Sequence, residues 1–365
     1  MRFTTSKDNL LEGINIVQKA VSTKSSLAVL EGILVECGDK LKLTGNDLEI
    51  GIECFVEADI IQKGAVVIDS RMFGEIVRRL PDSEVFIESN DNDIVTIECE
   101  NSHFEIHGLN AEGFPALPVI NEESSFTISQ KTLRDMIRQT IFAVSVDDNR
   151  PILTGTLIEI EDNNITFVSC DSYRVALRRM PLESGNLSIN KVVPGKTLNE
   201  LVKILQPVDD NVTIFSTRNQ ILFDTGKYKL VSRLLEGEYL KYRSFIPDNF
   251  ETRIVVNTKQ LLSAIERASL VIMSNERRYP LNIDIHDDVM KLHTSTNIGN
   301  ANEELRIEME GKDIEIRFNP RYFIEALRVI DDEVVEVCFT NDVGPCIIKP
   351  VEGDAFIYLI VPLRK

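Results

Sequence analysis

A pattern that recurs three times constrains this 365-residue chain more than any other feature of its sequence. Phe73, Leu198 and Phe323, each 125 residues from the next, hold the same place in three amphipathic segments, residues 70–80, 195–205 and 319–330. A second amphipathic segment opens each third. It carries Leu10, Ile14, Val17 and Val21 after Phe3-Thr4-Thr5-Ser6, then Leu133, Ile137, Ile141 and Val144 after Phe126-Thr127-Ile128-Ser129, and finally Leu261, Ile265 and Ile272 after Ile254-Val255-Val256-Asn257. Apolar residues three and four apart line one helix face. Ser6, Ser129 and Asn257, spaced 123 and 128 residues apart, are side chains that accept from the free amides of a first helical turn. Pro320 also suits a first turn, where its missing amide is no loss. A period this long is a domain, since solenoid repeats run to roughly 50 residues.

Between the helices lie alternating segments such as Glu84-Val85-Phe86-Ile87-Glu88, Ile94-Val95-Thr96-Ile97-Glu98 and Lys291-Leu292-His293-Thr294, bounded by Asn, Asp and Gly. These read as half-buried antiparallel strands. The fold class is therefore α+β, three repeated domains with two helices packed on antiparallel sheets in each. Prolines and polar residues at 112–118 and 242–249 predict extended connectors between them.

Composition adds exclusions. With 43% hydrophobic and 27% charged residues the chain can bury a core. The longest apolar stretch, 356–363, is interrupted by Pro362 and falls short of the roughly 18 residues a membrane helix needs. The first residues lack the apolar region of a secretory signal, which predicts a cytoplasmic protein with no membrane partner. Cys37, Cys54, Cys99, Cys170, Cys338 and Cys346 are scattered without C-x-x-C or a zinc spacing, and read as small buried hydrophobes. His103, His107, His286 and His293 lie in strand-like patterns and suit structural or surface roles. No metal or other cofactor is expected. Val193-Pro194-Gly195-Lys196-Thr197 lacks the glycine a phosphate-binding loop needs at position 190, where Asn stands. The most enzyme-like stretch, Asp171-Ser172-Tyr173-Arg174, also reads as a polar turn after a strand, so no catalytic residue is assigned.

The net charge is −18, yet the six helical segments sum to +7 and the remainder to −25. Two readings fit: the helices share a surface that holds a polyanion through counterion release without reading bases, or their cations decorate solvated faces. The apolar C-terminus likewise reads as a last strand or as the lining of a groove for a partner peptide.

Several motifs occur in order along the chain: residues 102–115, SHFEIHGLNAEGFP, then Arg150-Pro151-Ile152-Leu153-Thr154-Gly155, Asp171-Ser172-Tyr173-Arg174, Tyr242-Arg243-Ser244-Phe245-Ile246-Pro247, Ser274-Asn275-Glu276 and Val361-Pro362-Leu363-Arg364. Together they resemble the bacterial DNA polymerase III β subunit, the replicative sliding clamp. The resemblance implies the DNA clamp fold with domains 1–120, 121–247 and 248–365, and a head-to-tail homodimer ring. It implies a processivity factor rather than an enzyme, encircling double-stranded DNA and tethering the replicative polymerase, clamp loader and repair proteins by short peptides. DNA-facing positions fall on Lys24, Arg71, Arg150 and Lys196. The peptide pocket falls on Leu153, Cys170, Ser172, Tyr173, Arg174, Val175, Leu240, Phe245, Tyr322, Val343, Pro345, Leu359, Ile360, Val361, Pro362, Leu363 and Arg364. The dimer seam falls on Ile272, Met273, Glu303 and Glu304 opposite His103, Phe104 and Leu109. His103 stands where some members of the family have Arg, Ser172 where Gly is common and Leu240 where some members have Pro, which bears on the seam and on pocket shape. A repeat-domain scaffold that binds proteins and never DNA is the alternative reading.

Overall fold

The computed structural model describes residues 1–118, 120, 124–183, 187–272 and 280–364. Among these are six α-helices: α1 Lys7–Val17, α2 Ser70–Arg79, α3 Gln130–Arg138, α4 Gly195–Ile204, α5 Thr258–Ala268 and α6 Pro320–Leu327. The three helix starts read from the sequence are capped as expected. Ser6 Oγ accepts from the Asn9 amide at 3.2 Å, Ser129 Oγ from the Thr132 amide at 3.2 Å and Asn257 Oδ1 from the Gln260 amide at 3.0 Å. Asp69 and Asn319 cap α2 and α6 in the same way. The sequence pattern carries the third helical segment on to residue 143. The structure ends α3 at Arg138, where the Thr140 hydroxyl donates back to the Met136 carbonyl at 2.8 Å and the chain turns into a 3₁₀ segment, Ile141–Ala143. Side-chain competition of this kind favours bending out of a helix.

The chain divides into two compact units, Met1–Leu133 with Glu200–Leu234, and Arg134–Asn199 with Leu235–Lys365. In the first, a five-stranded antiparallel sheet runs in the order Asp59–Gln62, Arg2–Ser6, Glu84–Ser89, Ile94–Cys99, Ser102–His107. An eight-stranded sheet joins the first repeat to the second. Tyr228–Arg233 pairs with Ile50–Val56, with Leu230 opposite Ile52. The connector follows closely here. Asn46 Nδ2 donates to the Pro115 carbonyl at 3.1 Å, and a Cβ on Gly51 would stand 2.2 Å from the Leu117 side chain. Only glycine lets the connector lie this close to the strand.

In the second unit, a nine-stranded sheet joins repeats two and three through Arg174–Pro181 paired with Phe356–Ile360, Ala176 opposite Tyr358. A four-stranded sheet ends in Gly299–Arg306, and α5 packs over it. The second connector is not extended as the sequence predicted but folds into a 3₁₀ turn, Tyr242–Phe245. Tertiary bonds override the local preference: Tyr242 Oη donates to Glu159 at 2.8 Å, and Arg243 donates to Glu159 at 2.7 Å and to Glu161 at 3.0 Å, while within the turn Ser244 Oγ donates to the Lys241 carbonyl at 2.7 Å. All six cysteines are free and buried. Among the described residues no helix is long and apolar enough to cross a membrane.

Candidate functional site

The residues expected to form the pocket all fall within the second unit. Several of the apolar ones pack together: Leu153, Cys170, Val175 and Leu359 belong to one buried cluster against which Leu240 packs, and Ile360 continues into the neighbouring core. Burial pushes the Cys170 thiol up to about 12, with the Asp171 carboxylate adding to the effect, so it is an inert hydrophobe. Of the other expected pocket residues, Ser172, Tyr173, Phe245, Val343 and Val361 are exposed, and Tyr322 and Pro345 half-buried.

The C-terminus ends in the last strand that one of its two readings expected. Phe356–Ile360 is an interior strand, and the chain beyond it is tied down, because the Val361 amide donates to the Tyr173 carbonyl at 2.9 Å and the Leu363 amide to the Arg317 carbonyl at 2.8 Å. Pro362, Leu363 and Arg364 line a cleft of about 280 Å³ together with Arg317, Asp342 and Val343.

Arg174 organises this region. Only 7% exposed, it donates from Nε to Asp171 Oδ2 at 3.1 Å, from one terminal nitrogen to Glu325 and from the other to the Phe142 carbonyl at 2.6 Å. Its guanidinium lies 4.8 Å from the Tyr322 ring centroid and 5.3 Å from that of Phe142, within cation–π range. Tyr173 stacks on Tyr322 with centroids 6.0 Å apart. Asp171 also accepts from the amides of Tyr173 at 2.7 Å and Arg174 at 3.0 Å, which makes the segment a capped turn. Burial pushes the Glu325 carboxyl up, but hydrogen bonds from Arg321 and Arg174 together hold it below its ordinary value. The sequence reading missed Phe142, Glu325, Arg317 and Asp342. Their only sequence signal was the Arg321–Glu325 spacing of a helical ion pair.

The cations proposed to face nucleic acid sit on exposed ground: Lys24 on the loop after the first helix, Arg71 at the second residue of α2, Arg150 just before the 3₁₀ turn Pro151–Thr154, and Lys196 at the second residue of α4. The raw helix charge overstates what is available. Arg78 and Arg79 pair with Glu75, Lys203 with Glu200, and Arg328 with Glu266, while Arg267 pairs with Glu303 and Arg138 with Asp331, both outside the helices.

Of the seam candidates, His103 and Phe104 lie on one sheet edge and Glu303 and Glu304 on another, while Leu109 bridges to Val67 and Ile272 follows α5. Phe104 and Leu109 are large apolar side chains left exposed, and His103 Nδ1 is 3.1 Å from Glu98. Glu303 and Glu304, adjacent in sequence, point to opposite faces of their strand: Glu303 is bound by Arg267 of α5 and Glu304 by Lys291. Ile272 is half-buried. Met273, with the Ser274-Asn275-Glu276 motif, lies outside the described residues.

Three family models match the chain in order: the N-terminal domain of the DNA polymerase III beta subunit over residues 1–118, its central domain over 127–241 and its C-terminal domain over 243–364. The chain belongs to the DNA polymerase III β subunit family. Among β subunits, it is 36% identical over 378 residues to the beta sliding clamp of Halalkalibacterium halodurans, spanning the whole of both chains. It is also 36% identical over 376 residues to that of Bacillus subtilis, again over the whole of both. Solved β subunits share its fold. A putative one from Eubacterium rectale aligns with TM-score 0.95 at 41% identity, and the Bacillus subtilis sliding clamp with TM-score 0.96 at 35%, each covering all of this chain and 99% of the other. The fold is thus the three-domain α+β clamp, as the repeat and the motifs required.

Proposed function

We propose that this protein is a replicative sliding clamp, a non-catalytic processivity factor acting on DNA in the cytoplasm. Its full-length likeness to beta sliding clamps carries the reading. Two copies close head to tail into a ring of six domains, 1–120, 121–247 and 248–365 from each. A heterologous contact that closes makes a ring rather than a filament. Duplex DNA is encircled, with Lys24, Arg71, Arg150 and Lys196 facing it through weak contacts that carry no sequence information. The apolar floor and tyrosine-rich rim around Arg174 take short peptides of the replicative polymerase, clamp loader and repair proteins, since apolar walls with a polar rim suit linear motifs. The Pseudomonas aeruginosa clamp, 26% identical, has been solved bound to griselimycin, which supports a ligand-accepting surface on this fold.

Topological linkage is the decisive property. After loading on nicked plasmid by a clamp loader with ATP, the protein will be retained on circles and lost when the plasmid is linearised, as gel filtration will show. Equal retention on both forms would mean ordinary affinity, and binding to neither would leave the protein-only scaffold. Deleting residues 361–365 is expected to abolish peptide binding and leave ring formation intact. Unchanged peptide affinity after that truncation would overturn the pocket assignment.

A further inference from the structure

We propose that the junction of repeats one and two carries a counterpart of the peptide pocket, and that the chain's own connector, seated through Leu117, keeps it closed. Each chain then offers one peptide site, where the two junctions within it would otherwise supply two. This rests on the peptide-pocket reading above and extends it to the residues that set how many peptides a chain takes.

The two junctions match bond for bond. At the second, Asp171 Oδ1 accepts from the amides of Tyr173 at 2.7 Å and Arg174 at 3.0 Å, and the Asp171 amide donates to the Arg174 carbonyl at 3.2 Å. At the first, Asp47 Oδ1 accepts from the amides of Glu49 at 3.0 Å and Ile50 at 2.7 Å, and the Asp47 amide donates to the Ile50 carbonyl at 3.1 Å. The strand across each junction closes on the turn in the same way. The Val361 amide donates to the Tyr173 carbonyl at 2.9 Å, and the Arg233 amide to the Glu49 carbonyl at 3.2 Å. Ser232 faces Ile50 as Ile360 faces Arg174. A cleft of about 250 Å³ lies at the first junction, lined in part by Leu48, Ile50 and Arg233, which hold the places of Ser172, Arg174 and Val361.

The floor is where the junctions part. Cys170 faces Val175 across the second hairpin, and Asn46 faces Gly51 across the first. Cys170 and Val175 are buried apolar side chains. Gly51 has no side chain, and the connector fills the volume: a Cβ there would stand 2.2 Å from Leu117 Cδ2. Asn46 Nδ2 holds the same segment by donating to the Pro115 carbonyl at 3.1 Å. The second connector is drawn elsewhere for an electrostatic reason. Thr166 stands across from Glu159, which takes Tyr242 and Arg243 into the 3₁₀ turn. In the first repeat Lys42 stands across from Glu36 and binds it at 2.9 Å. A tethered occupant competes at a high effective concentration, so a free peptide does not displace Leu117.

The test counts peptides per chain. The probe is the hexapeptide Gly-Phe-Pro-Ala-Leu-Pro, the sequence of residues 113–118, labelled with fluorescein and titrated to saturation against the full-length protein. Leu117→Ala empties the place of a leucine side chain, which the leucine of the probe refills. This variant should take up one peptide per chain more than the wild type. Gly51→Val, which supplies the residue type of Val175 and leaves Leu117 no room, should show the same gain. Deleting residues 361–365 from Leu117→Ala should leave the added site in place, because Arg233 rather than Val361 borders it. The same truncation of the wild type reports on the second junction, so failure of the peptide-pocket reading is seen there and not in the gain. A gain of one peptide with either variant supports the proposal. No gain with both would overturn it, and so would a gain that the truncation abolishes.

Discussion

Replacing Arg174 by alanine will cost about 3–5 kcal/mol of stability, the range for removing one partner of a buried ion pair, and most of the affinity for short apolar peptides. Every direction of the guanidinium is used: Asp171, Glu325 and the Phe142 carbonyl accept its hydrogens, and Tyr322 and Phe142 cover its faces. Alanine would leave the half-buried Glu325 with Arg321 alone, and would remove the support under the ring on which Tyr173 stacks. Arg174→Lys keeps the charge but not the planar fork, so it should recover only part of the loss. Urea unfolding and peptide anisotropy measure the two effects, and wild-type values for Arg174→Ala in both would sink this account. Acid adds a separate signature. Because the folded state holds Glu325 below its ordinary value, its contribution is complete above the ordinary carboxylate range and is lost as pH falls through the depressed folded value. Glu325→Gln should flatten that acid limb and leave the slope between pH 6 and 8 unchanged.

What the sequence disclosed and what it hid follow from the range of the interactions involved. Ser6, Ser129 and Asn257 were legible as caps because a cap bonds an amide three residues away. The buried cysteines were legible from the absence of ligand spacings. The Arg174 network was not, since Glu325 lies 151 residues from it and Phe142, 32 residues away, meets it through a main-chain carbonyl and a ring face. Tyr242–Phe245 misled because bonds to Glu159 and Glu161, more than 80 residues away, outweigh the extended preference of a Pro-bearing connector. The helix charge count misled for the same reason: Arg138 is taken up by Asp331 and Arg267 by Glu303, carboxylates outside the windows counted. Glu303 and Glu304 look alike in sequence, and only the pleat separates a helix-bound carboxylate from an outward-facing one.

Reversing charge at Arg71 and Lys196 together, Arg71→Glu with Lys196→Glu, will shorten residence on nicked circles and flatten its salt dependence without dissociating the dimer. Every phosphate that is no longer neutralised lowers the slope of log affinity against log salt by about 0.9, and reversed charges also repel the backbone. Both residues sit at exposed second positions of helices and neither is a seam candidate, so ring closure should be untouched. Residence half-life between about 50 and 200 mM salt, with sedimentation of the same variant, separates the two properties. Dissociation into monomers would place these residues at the seam rather than toward DNA. An unchanged salt slope would transfer the DNA-facing role to Lys131 on α3 and Lys259 on α5, which are also exposed. The repeat supplies such cations on more than one helix, and a clamp that slides needs its positive charge spread in this way, because one tight phosphate grip would stop the motion that encirclement permits.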